Sequence, residues 1–338
     1  MKATRYEGNK TFNVIETEVE APAKDDVRIK VAYSGVCGTD VHIYHGMMDK
    51  RVNFPITIGH EMSGTIDAVG DNVTTYKVGD KVVVRPLDDR GVKPSDKGFN
   101  HICEDLKFIG IDSPGSMQQY WNVPAFTLHK LKTTTDLKLA ALIEPLSVAV
   151  HDVRLSQLKH KETAVVLGGG PIGLLVAMVA KNTGANVIIS EINPVRISKA
   201  QDLGFDVVNP THTDLIQYVK EKTEGRLADV VFEVAGVQPA LDVMTEIAGI
   251  RGRIVMVAIH GEKKNIDLFK FFWKELKLIG ARVYEKEDYE KSIQLITDNQ
   301  LPFEQLITDI QPLSKIQEVF ENIDKKPDGL KILMDCQL

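Results

Sequence analysis

The sequence predicts an α/β protein, a doubly wound parallel sheet joined to a second, mostly β part built largely from the N-terminal residues. Three observations lead there. A short apolar run, Ala164 to Leu167, opens into a glycine-rich turn and an apolar helix. From there to about Gly280, strand-like and helix-like segments alternate. Before about residue 150, short strands separated by glycines and charged turns take over.

The central stretch reads TAVVLGGGPIGLLVAMVAKNTGANVIISE from Thr163 to Glu191. Its opening run is what a parallel strand buried on both faces requires. Gly168, Gly170 and Gly173 satisfy G-x-G-x-x-G, with Pro171 and Ile172 between the last two. The first glycine permits the tight turn, the second lets backbone approach a pyrophosphate, and the third lets helix pack close on strand. A helix from about Ile172 to Asn182 stops at Gly184, and its N-terminus offers unpaired N–H groups to phosphate. A second apolar strand, Val187 to Ser190, ends on Glu191, roughly 20 residues past the glycines, where an acid accepts from an adenosine ribose. A glycine triplet alone marks only a turn; strand, turn, helix, strand and acid in succession mark a dinucleotide site. Glu191 favours NAD over NADP because it repels a phosphate on that ribose. Arg196 argues the other way, since a nearby arginine can hold the phosphate.

The alternation continues past Glu191. Asn193-Pro194 starts a helix, cap then proline, that runs through Arg196 to Leu203. Strands are expected at Val207-Val208, Val230 to Glu233, Arg253 to Ile259 and Leu276 to Gly280, with helices near Leu215 to Lys222 and Pro239 to Ala248. Ligands of such a sheet lie at the carboxyl ends of its strands. Ala235-Gly236 and Ala258-Ile259 fall there, small or apolar residues on which a nicotinamide can lie flat.

In the N-terminal part, strands are expected at Val27 to Ala32, Ile56 to Ile58, Thr65 to Val69 and Lys81 to Val84. Two clusters between them carry chemistry: Gly35-Val36-Cys37-Gly38-Thr39-Asp40-Val41-His42-Ile43-Tyr44, and Gly59-His60-Glu61-Met62-Ser63-Gly64 continuing to Gly70 and Val73. Cys37 offers a soft thiolate and His60 an imidazole, two ligands that suit zinc. A catalytic zinc takes three protein ligands and leaves one position open; either Glu61 or Glu144 supplies the third. Glu144 stands inside the apolar segment Leu142-Ile143-Glu144-Pro145-Leu146, where a carboxylate needs a metal or a partner. The bland alternative for these four is a buried thiol, a core histidine and two ion-paired acids.

On these motifs the chain resembles the zinc-dependent medium-chain dehydrogenase/reductase family. Gly59 to Val73 fits that family's G-H-E-x-x-G-x5-G-x2-V signature without a mismatch, and the first cluster fits its G-x-C-G-[ST]-D segment. The resemblance covers nearly the whole chain. It implies a GroES-like catalytic domain over residues 1–150, completed by 288–338, and a Rossmann NAD-binding domain over 151–287. It also implies that Cys37, His60 and Glu61 bind the metal, with Glu144 binding directly or through a water. Thr39 then takes the proton-relay position, followed by His42 or the cofactor ribose; the alternatives are a turn hydroxyl and a surface imidazole. Asp40 reads as the acid that orients His60. Tyr44 reads either as a substrate-pocket wall or as a core aromatic.

One segment departs from the family. Many members hold a second, structural zinc with four cysteines spaced C-x2-C-x2-C-x7-C. If Cys103 is the last of these, the others fall on Asp89, Val92 and Ser95, so no structural zinc is expected. Cys103 and Cys336 then read as free thiols. Further on, Gly280-Ala281-Arg282 resembles a segment that brings an arginine near cofactor and substrate in relatives acting on sugar alcohols and sugar acids. Arg282 grips a carboxylate or paired hydroxyls in that reading, and pairs with Glu285 or Glu287 at the surface in the other. The tail is expected to hold a helix from about Tyr289, a strand at Gln305 to Ile310, a helix from Leu313 to Asn322 and a strand at Lys331 to Asp335.

Composition bounds the function classes. A chain of 338 residues has room for about two domains. Its net charge of −6 opposes nucleic acid or anionic membrane as a main partner. No apolar run approaches a membrane span, and MKATRYEGNK has no signal-peptide core, so a soluble, cytoplasmic protein is expected. The odd number of cysteines makes no disulfide framework. The expected activity is reversible, zinc- and NAD-dependent oxidation of a secondary alcohol of a polyol or sugar acid, in a homodimer or homotetramer. L-Threonine 3-dehydrogenase-like activity is the nearest rival. A zinc-free quinone or enoyl reductase and a non-catalytic NAD-binding protein stand further off.

Overall fold

The structure is a computed structural model that describes residues 1–88, 98–326 and 328–338. The chain divides into two compact units, Met1–Glu144 with Tyr289–Leu338, and Pro145–Asp288. The first unit begins with an antiparallel hairpin of β1 (Lys2–Gly8) and β2 (Thr11–Glu16). There follow β3 (Asp26–Gly35), α1 (Gly38–Tyr44), β4 (Glu61–Val69), β5 (Lys81–Val84) and the short pair β6 (Leu87–Asp88) and β7 (Lys107–Phe108). Next come β8 (Tyr120–Pro124), β9 (Leu128–Lys130) and the single turn α2 (Leu137–Ala140), and α3 (Ile143–Ser156) leads into the second unit.

The second unit alternates strand and helix, as expected. Its strands are β10 (Thr163–Leu167), β11 (Asn186–Ser190), β12 (Asp206–Val208), β13 (Ala228–Glu233), β14 (Ala248–Met256) and β15 (Lys277–Gly280). Between them run α4 (Pro171–Asn182), α5 (Pro194–Asp202), α6 (Leu215–Lys222), α7 (Gln238–Ile247) and α8 (Leu268–Lys274). The strands form one parallel sheet in the order β12-β11-β10-β13-β14-β15. The order reverses between β10 and β13, so the carboxyl ends of these two strands flank the crevice where such sheets bind ligands. Ala164, Val165 and Val166 of β10 are fully buried. Val165, Ile188, Val231 and Ile254 pack with Leu241, Met244 and Ile247 of α7 in one core, each large aliphatic side chain contributing about 1.5–3 kcal/mol.

The chain then returns to the first unit through α9 (Lys286–Thr297), β16 (Ile307–Pro312), α10 (Ile316–Lys325) and β17 (Lys331–Asp335). In its main sheet, β17 lies between parallel β16 and antiparallel β3, and β4 and β5 continue on the other side of β3. The register fixes what lies beside Glu61. Gly35, last residue of β3, pairs with Glu61 on one side and Leu333 on the other.

Several boundaries differ from expectation. Ile56 forms only an isolated bridge to Tyr6, so no strand runs through 56–58. Strand β14 starts at Ala248 and ends at Met256, leaving Val257 to Ile259 as a loop at its carboxyl end. Four of the described α-helices lie outside the expected elements: α1, α2, α3 and α8. At seven residues each, α1 and α8 are too short to show a helical period against the noise of local composition.

Candidate functional site

Cys37, His60 and Glu61 offer a thiol, an imidazole and a carboxylate whose ligand atoms all lie within 4.8 Å of one another. Each is delivered by the end of an element. Cys37 caps α1, where its backbone N–H donates to Asp40 Oδ2 at 2.9 Å. Glu61 opens β4 and His60 immediately precedes it. His60 Nδ1 is buried and has no hydrogen-bond partner, as is Asp40 Oδ1, 3.7 Å away. With Nδ1 facing Asp40 at 3.7 Å, too far for a hydrogen bond, Nε2 is the nitrogen left to bind a metal. The Phe108 ring meets His60 edge-on, centroids 5.2 Å apart.

Acidic groups outnumber cations here. Burial raises the Asp40 carboxyl to about 6 despite the nearby His60. Burial alone would lower His60, but Asp40, Cys37 and Glu144 hold it well above its ordinary value. Glu144, buried on the first turn of α3, is thus close enough to act on His60 although outside the tightest trio. A soft thiolate, an imidazole and a surplus of carboxylates form a donor set that fits zinc.

One functional residue escaped the sequence reading. Lys331 of β17 is buried, and its Nζ donates to both Glu61 oxygens at 2.7 Å and to the Val36 carbonyl at 3.1 Å. Burial would lower its pKa, but Glu61, then Cys37 and Glu144, keep it raised. The Glu61 carboxylate reaches it across Gly35, where a Cβ would overlap Glu61 Oε2. The one available signal was strand alternation, which puts Lys331 on the face of the apolar Leu333.

Thr39 and His42 lie one turn apart on α1, both half-buried, a spacing that makes them neighbours on one helix face. Tyr44 requires a correction. It is buried, stacked on Phe12 at 6.0 Å and packed against Phe320 at 5.2 Å, so it is a core aromatic and does not wall a pocket. Cys103 and Cys336 are buried free thiols. Asp89, Val92 and Ser95, on which the expectation about a structural zinc turns, lie outside the described residues.

In the second unit, Gly168 has φ +107°, and Gly173 admits no Cβ because one would overlap the Gly168 carbonyl oxygen. Gly170 caps α4, with Pro171 and Ile172 as its first two residues. Glu191 is buried and holds this turn: Oε2 accepts from Gly169 N at 2.7 Å, and Oε1 from Ile192 N and Asn193 N at 2.7 and 2.8 Å. Arg196 Nη1 lies 3.5 Å from where a Cβ on Gly170 would sit. Acid and guanidinium therefore both flank the glycine turn. Ala235 and Ile259 are exposed and Ala258 is half-buried.

A second acidic cluster, His151, Glu285 and Asp288, is already satisfied. Asp288 takes His151 Nδ1 at 2.8 Å and Arg154 Nε at 2.7 Å, while Glu285 and Glu287 also pair with Arg154. Arg282 is exposed, and the acids first considered as its partners belong to Arg154.

Comparison with known proteins agrees with both sites. Residues 23–133 match the alcohol dehydrogenase GroES-like domain and residues 171–298 the zinc-binding dehydrogenase domain. The chain is 55% identical to 2-dehydro-3-deoxy-L-galactonate 5-dehydrogenase of Pseudoalteromonas atlantica, over 99% of each. It is 32% identical to sorbitol dehydrogenase of Halalkalibacterium halodurans, over 97% of this chain and 96% of that one. Among solved structures, a protein of Sinorhizobium meliloti 1021 described as a zinc-binding dehydrogenase and bound to NADP superposes with a TM-score of 0.93. It is 28% identical, over 99% of this chain and 98% of that one. With the thiolate–imidazole–carboxylate trio in one unit and the dinucleotide turn in the other, the chain belongs to the zinc-binding dehydrogenases of the medium-chain family.

Proposed function

We propose that this dehydrogenase oxidises a secondary alcohol of a sugar acid or polyol to a ketone, reversibly, with NAD as hydride acceptor. The observation that carries the reading is the trio of Cys37, His60 and Glu61 within 4.8 Å, in a chain 55% identical over its length to a sugar-acid dehydrogenase. A zinc held there supplies Lewis acidity that lowers the pKa of the substrate hydroxyl. Cys37, His60 and Glu61 bind it, and Glu144 binds directly or through a water. Thr39 Oγ1 would accept the hydroxyl proton as it gives its own to His42, which would release it to solvent. Arg282, exposed and not engaged by Glu285 or Glu287, grips the substrate carboxylate.

On the cofactor side, Gly168, Gly170, Pro171, Ile172 and Gly173 take the pyrophosphate, and Ala235, Ala258 and Ile259 the nicotinamide. Glu191 accepts from the free ribose hydroxyls. That supports NAD, although Arg196 beside Gly170 is the kind of group that holds a ribose phosphate in an NADP enzyme.

Homo-oligomer formation is supported by the outer edge of the parallel sheet. Strand β15 is the terminal strand, and α8 exposes Leu268, Phe269, Phe272 and Trp273 by 61–77%, an apolar strip of the kind that buries against a second copy. Three free thiols fit a reducing cytoplasm, and among the described residues no helix is long and apolar enough to cross a membrane.

A spectrophotometric screen for NADH formation with hexonates, hexitols, inositols and threonine tests the reading. Turnover of a hexonate or hexitol supports it; turnover of threonine alone moves the chain to the rival branch.

A further inference from the structure

We infer that His260 is a positioning residue for the nicotinamide end of the cofactor, held in place by the buried carboxylate of Glu233. The inference rests on the nicotinamide-cofactor reading above and adds a residue to it.

Glu233 is the last residue of β13, and its side chain is fully buried. A carboxylate in that position needs partners for both oxygens, and it has them. Oε1 accepts from Gly236 N at 2.7 Å, and Oε2 lies 3.0 Å from His260 Nε2. The Glu233 backbone carbonyl accepts in addition from Val257 N at 2.9 Å and Ala258 N at 3.0 Å. One residue thus ties down two turns, residues 234–236 after β13 and residues 257–260 after β14.

These turns border the cofactor crevice. Gly168, first glycine of the dinucleotide turn, lies so near Ala235 that a Cβ on it would be 3.2 Å from Ala235 Cα. A Cβ on Gly236 would be 3.5 Å from Ala258 Cβ. The path from the pyrophosphate turn through Ala235 and Gly236 to Ala258 is therefore continuous. It runs along the carboxyl ends of β10, β13 and β14, where a doubly wound sheet binds its ligand. Beyond β14 the loop is held by few side-chain bonds. Ile259 is 78% exposed, and His260 Nδ1 has no hydrogen-bond partner, so the contact with Glu233 is the polar anchor of that ring. Without it the loop keeps the two backbone bonds at Val257 and Ala258 but loses the tie at its far end. Half-buried Ala258 and exposed Ile259 then sample positions that do not match a nicotinamide ring. The adenosine half, held by the glycine turn and Glu191, is untouched.

That asymmetry defines the test. Binding of NADH and of ADP-ribose, which lacks the nicotinamide, is measured by titration calorimetry on zinc-loaded wild type, His260→Ala and His260→Gln. Expected for His260→Ala is about tenfold weaker NADH binding with ADP-ribose affinity within about twofold of wild type. His260→Gln, which keeps an N–H for Glu233, is expected to recover most of the loss. Equal weakening of both ligands, or no weakening in either variant, overturns the inference. If His260→Ala does not fold, His260→Leu, which keeps bulk but has no donor for Glu233, decides it: NADH binding weakened with ADP-ribose affinity unchanged supports the inference, and no selective weakening of NADH overturns it. Wild type that binds ADP-ribose but not NADH overturns the nicotinamide reading itself, and His260 with it.

Discussion

Lys331 Nζ donates to both carboxylate oxygens of Glu61 at 2.7 Å, across 270 residues of sequence. The two strands that bring them together, β17 and β4, flank β3, and Gly35 between them leaves room for the carboxylate to cross. Burying a carboxylate beside a thiol and two further acids needs a cation; in this arrangement the C-terminal strand supplies it.

Replacing Lys331 by Met keeps the volume and removes the charge. The metal-free protein should lose about 3 kcal/mol, the cost of leaving Glu61 buried without its partner. Zinc loading should recover more than half of that loss, because the ion then stands opposite Glu61. Thermal unfolding of both variants with and without zinc measures it, and an equal loss in both states contradicts the placement of Glu61 at the metal.

Gly35→Ala places a methyl group where Glu61 Oε2 lies. The carboxylate must turn away from Lys331 or β3 must shift, at a cost of about 1–3 kcal/mol. Lower zinc affinity in a chelator competition, with the second unit's affinity for ADP-ribose unchanged, is the expected pattern.

Glu191→Ala removes the carboxylate that holds Gly169 N and that is proposed to accept from the ribose. The proposed preference for NAD over NADP, taken as the ratio of kcat/KM values, should fall by about tenfold or more, since both the proposed hydrogen bond to the ribose and the repulsion of its phosphate disappear. An unchanged ratio would assign the preference to other residues.

Asp152 is buried on α3 with Oδ2 unpartnered, and burial, then the neighbouring Asp288, pushes its carboxyl well above the usual range. A carboxyl raised on folding favours the native state fully below its unfolded value, near 4, and that contribution is lost as pH rises through the folded value. Asp152→Asn removes the dependence. Relative to wild type it should gain stability progressively from about pH 4 upwards, by about 1.4 kcal/mol for each unit of the displacement. Urea unfolding at pH 4.5 and 7.5 checks the sign; a gain at the lower pH only contradicts it.

The parallel strands of the second unit were legible because buried parallel strands are continuous apolar runs, and Ala164–Leu167 and Val187–Ser190 are such runs; their order in the sheet was not. Cys37 and His60 were legible as soft ligand types that suit zinc, whereas the choice of Glu61 over Glu144 came only from the resemblance to the family. Lys331 was not legible, since nothing local distinguishes a lysine that reaches a distant acid from one on an exposed strand. Tyr44 was ambiguous in sequence for the same reason. Phe12 and Phe320, from β2 and α10, and Tyr6 from β1 pack on it and make it core. The tie between Glu233 and His260 depends on two strands meeting in register, which spacing along the chain does not encode.

Cys37, His60 and Glu61 hold one zinc that the dehydrogenase needs. Zinc per chain, measured by plasma emission spectrometry beside NADH formation on the best sugar-acid substrate, tests it in wild type and Cys37→Ser. The account predicts about one zinc in wild type, less than about a tenth of that in the variant, and activity at least about a hundredfold lower. Full activity in a wild-type chain stripped of zinc, or undiminished zinc in Cys37→Ser, would contradict it.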